Sequence, residues 1–499
     1  MILTWDLSGK ALIHEPVTRA GEKPLFPRHS TLPPCQIPNT SVSPPPISSL
    51  PPELLGEIFQ HYVDEDESSL DRPNPWVSAL TTVTAGTVNP IVLGHVCSHW
   101  RTISLSMPTL WSSLAIHRPN LSHVPVVRVW LERSGSCPLN LFISHGVDGD
   151  VTQHVATQDI LALFVKYSHR WRSIGFVFQD RPPSSYGELL KLPPGVMSAL
   201  ESAHVDLPSW SNADADKLWD AIYSSPSLRR VDWGARYKFS ASTLSTNLNG
   251  VPWTQLTHMT MQGVDDLSVD EFLDILQKCR ELLELDVSVP WPETGRVRPT
   301  RVVLPKLRIC RINAWKYNSA VILNRVSFPA LTSLSLVHAL GRKDVGQPAS
   351  CSYITEFLRR SGCELSTVCL SDPSGAISEE DLEALVRSLH VQSVRSLALD
   401  VKLVTDLTVG LLTQGRGGGG GKDEMARGGY LPCLSALSLS PCKTSEGTLL
   451  NMVKSRLPVL HTIAVQPAGG EPFPADVGWL ETLTVEQPCS YGSLRIVRK

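Results

Sequence analysis

A repeated leucine pattern constrains the fold of this chain more than any other sequence feature. Segments with Leu or a similar residue at relative positions 0, 3 and 5 begin at Leu200, Leu228, Leu256, Leu282, Leu307, Leu331, Leu365, Val394, Leu434 and Leu460. Successive starts lie 24 to 40 residues apart. Most of these spacings fall in or near the roughly 20 to 29 residues of a leucine-rich repeat. The pattern therefore predicts a series of similar structural units.

Each unit is expected to contain a strand and a helix. The alternating apolar residues of a copy predict a short strand with one buried face. Ser268 and Ser378 each begin a sequence that resembles a helix capping box. Gly135 and Gly362 each stand just past an expected helix end, where glycine is favoured. Repeated strand and helix predict an α/β solenoid over residues 119–499.

Two segments differ in composition from the repeats. Residues 1–46 are rich in Pro, Ser and Thr and lack an apolar period, which predicts a disordered tail that buries too little surface to order itself. Residues 414–429 contain a glycine run, which predicts a flexible insertion. The run satisfies GxGxxG, but Lys422 is followed by Asp423 and not by the Ser or Thr of a phosphate-binding loop.

Bulk composition argues against several classes of function. Lys and Arg number 45 against 48 Asp and Glu, so the charge of -3 indicates neither a nucleic-acid nor a membrane partner. The 11 cysteines include no CxxC pair, which favours reduced thiols in an intracellular protein of the cytoplasm and/or nucleus. His95 and His99 have metal-ligand spacing without an evident third ligand. No metal, cofactor or catalytic motif is therefore predicted.

Two amphipathic helices are predicted ahead of the repeats, the first from Pro51 to about Tyr62 and the second from about Pro90 to Ser106. The apolar stripe of the first consists of Leu54, Leu55, Ile58, Phe59 and Tyr62. The apolar positions of the second are Leu93, Val96, Cys97, Trp100 and Ile103. Because a module this small has little core of its own, its remaining apolar area suggests an obligatory partner.

Residues 47–118 resemble an F-box. The family pattern of Leu-Pro, an acidic residue, Leu and Ile-Phe, then Val-Cys, Trp-Arg and Leu-Trp is nearly complete here. The matching residues are Leu50, Pro51, Glu53, Leu54, Ile58, Phe59, Val96, Cys97, Trp100, Arg101, Leu110 and Trp111. With its repeats, the chain from residue 47 is similar to the F-box and leucine-rich-repeat proteins of mushroom-forming fungi. It departs from the family in the long link between the helices, residues 64–89.

The resemblance implies an α/β protein with small all-α F-box helices followed by a leucine-rich-repeat-like solenoid. It implies a non-catalytic substrate adaptor whose F-box docks on the Skp-type adaptor of a cullin ubiquitin ligase, while the solenoid holds a protein substrate. The expected adaptor contacts are Leu50, Pro51, Leu54, Leu55, Ile58, Phe59, Val96, Cys97, Trp100, Leu110 and Trp111.

A substrate is expected on the exposed strand face, where positions 2 and 4 of each copy point outward. Candidate contacts are Arg230, Asp232, His258, Thr260, Glu284, Asp286, Ser333 and Ser335. Their mixed charges and small polar groups suggest a protein epitope and not a phosphate backbone. Two alternatives stay open. Burial of Leu54 and Trp100 against the chain's own repeats would favour a protein-binding scaffold without ligase assembly, and a pocket of perturbed titratable groups would favour an enzyme.

Overall fold

The computed structural model describes most of the repeat region and the helices before it. The described residues are 47, 50–64, 80–81, 90–145, 151–178, 186–206, 212–234, 250–261, 268–289, 301–314, 316–338, 352–372, 375, 377–414, 429–457, 459–467 and 495–496. The predicted tail, most of the 64–89 link and most of the glycine-rich insertion lie outside them. Contacts divide the chain into residues 1–51 and residues 52–499, and all helices and strands reported below belong to the second unit.

Helices precede the sheet and connect its strands. They are α1 (Pro52–Asp64), α2 (Pro90–Val96), α3 (Ser98–Ser106), α4 (His123–Arg133), α5 (Val151–Lys166), α6 (Asn212–Tyr223), α7 (Val269–Lys278), α8 (Lys316–Arg325), α9 (Ser352–Ser361), α10 (Glu379–Arg387), α11 (Asp406–Leu412) and α12 (Thr448–Arg456). None of these helices has the length and apolar composition needed to cross a bilayer.

Parallel strands form the second layer. They are β1 (Leu80–Thr81), β2 (Ser113–His117), β3 (Leu139–His145), β4 (Trp171–Phe178), β5 (Ser202–Asp206), β6 (Arg230–Trp233), β7 (His258–Met261), β8 (Glu284–Val289), β9 (Val302–Val303), β10 (Ile309–Ala314), β11 (Val326–Ser327), β12 (Ser333–His338), β13 (Thr367–Asp372), β14 (Ser396–Val404), β15 (Ala436–Cys442), β16 (Thr462–Pro467) and β17 (Arg495–Ile496). Fifteen of them form one sheet in chain order, while β9 and β11 pair with each other. The protein is therefore a mixed α/β structure built on a large parallel sheet.

The leucine pattern correctly predicted the ten strands of the large sheet from β5 to β16, but not β9, β11 or β17. Each strand of the large sheet from β5 to β16 begins two residues after a predicted start, as Ser202 follows Leu200 and Thr462 follows Leu460. The start residues themselves are buried, because each turns into the core just before its strand. The residues at relative positions 3 and 5 form the buried face, with the sole half-buried member at Val465. Burial of this face, covered by the helices, is the main stabilising term of the unit.

The predicted helix boundaries are also confirmed where the sequence carried a capping signal. Ser268 and Ser378 form capping boxes at the beginnings of α7 and α10, with the side chains of Glu271 and Asp381 completing them. After α4, Gly135 has a φ of 54°, a left-handed conformation that costs glycine least. These local signals act independently of the leucine pattern, so they place the helices between the strands with little ambiguity.

The second predicted helix is divided, contrary to expectation. Cys97 has extended backbone and separates α2 from α3, and its Sγ accepts a hydrogen bond from the Trp100 N–H at 3.4 Å. The Gly94 carbonyl at the end of α2 accepts a hydrogen bond from Arg101 Nε at 2.8 Å. One N–H group and one carbonyl that the break deprives of a helical partner are thus satisfied, which lowers the cost of the break. His95 and His99 consequently lie on different helices.

A tryptophan pair joins these first helices to the sheet. Trp111, in the 3-10 turn Pro108–Trp111, lies 4.7 Å from Trp130 of α4, measured between ring centroids. Its indole N–H donates to the Ser104 carbonyl at 2.9 Å, and the guanidinium of Arg133 lies 4.5 Å from its ring. Strands β1 and β2 pair directly with each other and precede residue 119. The sheet therefore begins inside the segment that the sequence assigned to the helical module.

Candidate functional site

Helix α1 presents three different sides. Leu55, Phe59 and Val63 are four residues apart, lie on one side and are buried. The Phe59 ring packs 4.8 Å from that of Trp100, which ties α1 to α3. The helix is thus attached to the rest of the chain by this side.

The second side of α1 is apolar and exposed. Leu54 is 53% exposed, Ile58 43% and Tyr62 39%. Helix α2, which contacts α1, adds Val92 at 49% and Val96 at 58%. We call these five residues the helical apolar surface. Exposed aliphatic residues are common one at a time, but several on one short module point to an interaction surface.

The predicted contact residues divide between this surface and the interior. Among the residues the resemblance assigned to an adaptor, Pro51, Leu54, Ile58, Val96 and Cys97 are exposed, and Leu50 and Trp100 are half-buried. The remaining four are buried within the chain, namely Leu55, Phe59, Leu110 and Trp111. In this structure these four hold the module together from inside. The exposed and half-buried members remain accessible to a partner, and whether one contacts them stays a prediction.

The eight residues assigned to a substrate all lie on the sheet face that the helices leave open. Arg230, Asp232, His258, Thr260, Glu284, Asp286, Ser333 and Ser335 are each half-exposed. Strand register aligns Arg230 with His258 and His258 with Glu284. The predicted direction of positions 2 and 4 is confirmed. Whether a substrate contacts them stays a prediction.

Charged side chains concentrate on the open face of strands β5 to β10. His204 Nδ1 lies 2.9 Å from an Asp232 carboxylate oxygen on the neighbouring strand. Glu284 pairs with Arg311 and lies 4.0 Å from His258 Nε2. Burial, reinforced by the positive charge of Arg230 and opposed by Glu284, lowers the pKa of His258 to about 4. His258 is therefore neutral near pH 7 and does not contribute to the positive charge here.

The open face changes character beyond β10. From β12 to β16, the aligned positions 2 and 4 are small residues, namely Ser333, Ser335, Thr367, Cys369, Ser396, Ala398, Ala436, Ser438, Thr462 and Ala464. None of these ten carries a charge at neutral pH. The charged half of the face, near the N-terminal helices, therefore has the greater capacity for specific recognition.

A groove lies between α1 and the beginnings of strands β2 to β7, with a volume of about 770 Å³. The third side of α1 contributes Gly56, Glu57 and Gln60. The strands contribute a row of residues that neighbour one another in register, namely Ser113, Asn140, Ser173, Ser202, Arg230 and His258. The sequence did not predict this groove, because the recognisable signal in α1 is its apolar stripe and the groove uses its polar side.

Buried thiols account for most other large pKa shifts. Burial raises the pKa of Cys279 to about 12 and that of Cys363 to about 11, and it raises the pKa of Cys310 as well. These thiols remain protonated at neutral pH, so they are poor nucleophiles. Within the described ranges, no group of three or more His, Cys, Asp or Glu side chains is arranged to hold a metal ion.

Comparison with known proteins gives structural neighbours of low sequence identity. No protein-family model and no curated protein matches the chain. The complex of Rad7 and Elc1 in yeast has a TM-score of 0.39 at 11% identity, over 85% of this chain and 91% of that chain. A Bacteroides fragilis protein solved by structural genomics has a TM-score of 0.33 at 12% identity, over 66% of this chain and 87% of that one. Neither score is high enough to carry an argument.

Proposed function

We propose that this chain is the substrate-recognition subunit of a Skp/cullin/F-box ubiquitin ligase. Its first helices are an F-box that docks on a Skp-type adaptor, and its repeats are a leucine-rich-repeat-like solenoid that binds a protein substrate. The chain itself performs no bond chemistry. It contributes proximity, because two binding surfaces in one chain raise the effective concentration of a substrate lysine near the conjugating enzyme.

The helical apolar surface is the observation that supports this proposal most. The F-box resemblance, which rests on residue types alone, assigned Leu54, Ile58 and Val96 to adaptor contacts, and all three are more than 40% exposed. The rival scaffold interpretation would gain if Leu54 and Trp100 were buried against the chain's own repeats. Leu54 is 53% exposed, and half-buried Trp100 packs on Phe59 of α1. Burying these side chains against a partner would remove apolar surface from water at about 25 cal/mol per Å².

The proposal is tested by co-purification of the full chain with the cognate Skp-type adaptor, comparing the native protein with Leu54→Asp and Ile58→Asp. Each variant introduces a carboxylate into the proposed interface, so adaptor recovery is expected to fall about tenfold or more, since an unpaired buried charge is costly. Leu407→Asp is the matched control, because Leu407 is 70% exposed on α11, outside the helical module. It should leave adaptor recovery unchanged.

Two results contradict the proposal. One is undiminished adaptor recovery with both α1 variants, and the other is no recovery with the native chain. The latter result would leave a protein-binding scaffold without ligase assembly as the better interpretation. Trp100→Ala is less suitable as the main variant, because Trp100 packs against Phe59 at 4.8 Å and its removal would loosen the module itself.

A further inference from the structure

We infer that the groove between α1 and strands β2 to β7 holds an extended substrate segment that carries an acidic side chain, which pairs with Arg230. This inference rests on the proposed function and identifies where on the open face the substrate lies and what chemistry it presents. It departs from the wider set assigned by the repeat pattern, of which only Arg230 and His258 line the groove.

The length of the groove suits a peptide segment. Its aligned row crosses six neighbouring strands from Ser113 to His258. Neighbouring strands lie about 4.8 Å apart, so five spacings give a row of about 24 Å. An extended chain rises about 3.3 Å per residue, so the row accommodates about seven residues.

The lining chemistry suits a polypeptide backbone. Ser113, Asn140 and Ser202 place partly exposed hydroxyl and amide groups on β2, β3 and β5, whereas Ser173 on β4 is buried. An extended peptide needs such donors and acceptors because its own amides and carbonyls have no partners within the segment. A small-molecule pocket is usually enclosed and largely apolar, which this lining is not. The side chains thus favour a peptide over a compact ligand.

The charge of the groove favours an acidic peptide. Arg172 is paired with Glu201 at 3.2 Å, and Glu57 stands on the opposite wall. Arg229 and Arg230 have no carboxylate partner among the described residues, and Arg229 donates only to backbone carbonyls. Three guanidinium groups against two carboxylates leave a small positive excess, located at the start of β6. That excess suits one or two carboxylates and is too small for a phosphate backbone.

Helix α1, which forms the wall of the groove opposite the strands, allows the adaptor and the substrate segment to bind at the same time. The groove side of α1 carries Gly56, Glu57 and Gln60, whereas its exposed apolar side carries Leu54 and Ile58. These are different sides of one helix, so a peptide in the groove does not cover the helical apolar surface. The chain's own residues 1–46 are a poorer occupant, because their four Lys and Arg outnumber their three Asp and Glu.

The test uses the immobilised full chain and three pools of eight-residue peptides, with two positions fixed as Glu, Gln or Lys and the others randomised. The amounts retained are measured by mass spectrometry. The Glu pool should be retained several-fold more than the Gln pool, and the Lys pool least. Arg230→Glu should reduce retention of the Glu pool about tenfold, the scale of one charge-assisted hydrogen bond. Arg230→Gln should also reduce retention of the Glu pool.

Arg395→Glu is the control, because Arg395 is an exposed arginine immediately before β14 that does not line the groove. It should retain the Glu pool as the native chain does. Equal retention of the Glu and Gln pools by the native chain, or equal losses with the Arg230 and Arg395 variants, would overturn the inference. Thermal unfolding verifies that each variant is folded. Adaptor co-purification from the same preparations separates failure of the groove from failure of the proposed function.

Discussion

At the scale of single residues, His258 shows how the open face controls charge. Its ring is half-buried on the open face, its Nδ1 lies 2.9 Å from the Thr257 hydroxyl, and Arg230 stands beside it on β6. Burial and the positive neighbour both disfavour the imidazolium form, and the Glu284 carboxylate only partly offsets them. A histidine on a strand face that would ordinarily titrate near neutrality is therefore kept uncharged.

We predict that the pKa of His258 rises from about 4 in the Arg230→Met variant but stays below its ordinary value of 6.5. Burial, the larger cause, remains when the positive charge is removed, so the shift is only partly reversed. Glu284→Gln should lower the pKa further. NMR titration of the ring carbons in ¹³C-labelled His measures the pKa of His258 in the native chain and in both variants. A native midpoint near 6.5 would refute this account.

The same shift predicts a pH dependence of stability. The unfolded chain binds a proton at this position near pH 6.5, whereas the folded chain binds it only near pH 4. Protonation between these values therefore favours the unfolded state, and the contribution of His258 to the free energy of unfolding declines as pH falls from about 6.5 to about 4. Denaturant unfolding should show a weaker decline over that range in the His258→Gln variant than in the native chain.

At the scale of elements, capping and turn residues decide where the helices end. Gly362 follows α9 with a φ of 63°, and its N–H donates to the Leu358 carbonyl at 2.9 Å. Gly410 lies inside α11, where an added Cβ would meet nothing within 4 Å. The left-handed backbone at Gly362 therefore favours glycine. At Gly410, inside a helix, the low helix propensity of glycine disfavours it.

Replacing each of these glycines with alanine should change stability in opposite directions. Gly362→Ala is expected to lower the free energy of unfolding by about 1 kcal/mol, because a Cβ disfavours left-handed backbone. Gly410→Ala is expected to raise it by about 0.5 to 1 kcal/mol, because alanine favours a helix interior. Denaturant titration of both variants provides the measurement. Changes of the same sign would contradict the assigned helix end.

Some of the elements were predictable from the sequence alone, and others were not. The strands of the large sheet from β5 to β16 were predictable because each copy carries its own apolar alternation, and the caps at Ser268 and Ser378 because their hydrogen bonds are local. The break at Cys97 was not, since it depends on Arg101 reaching back to Gly94 in three dimensions. The groove was not predictable either, because it forms only when folding brings the polar side of α1 next to the aligned strands.

At the scale of the whole molecule, the junction at Trp111 connects the proposed docking helices to the repeats. Trp111 is 2% exposed and contacts α3, α4 and Arg133. Trp111→Ala should lower the free energy of unfolding by about 3 to 5 kcal/mol, the range for removing a buried aromatic side chain. Hydrogen exchange should accelerate in α1 to α3 more than in α9 to α12. The exposed Leu407→Ala serves as control, and uniform acceleration would argue against a local junction.

The tryptophan junction has a consequence for the range of lysines that the proposed ligase can modify. A hinge at this point would let cargo swing and offer many lysines in turn. Two tryptophan rings packed edge to face, with a guanidinium over one of them, permit little such swing, so the proposed docking helices and the repeats would keep a constant separation. Which lysines are modified would then depend on the substrate. A lysine on its folded part must lie at the right distance from the conjugating enzyme, and a lysine on a flexible tail must be able to reach that enzyme.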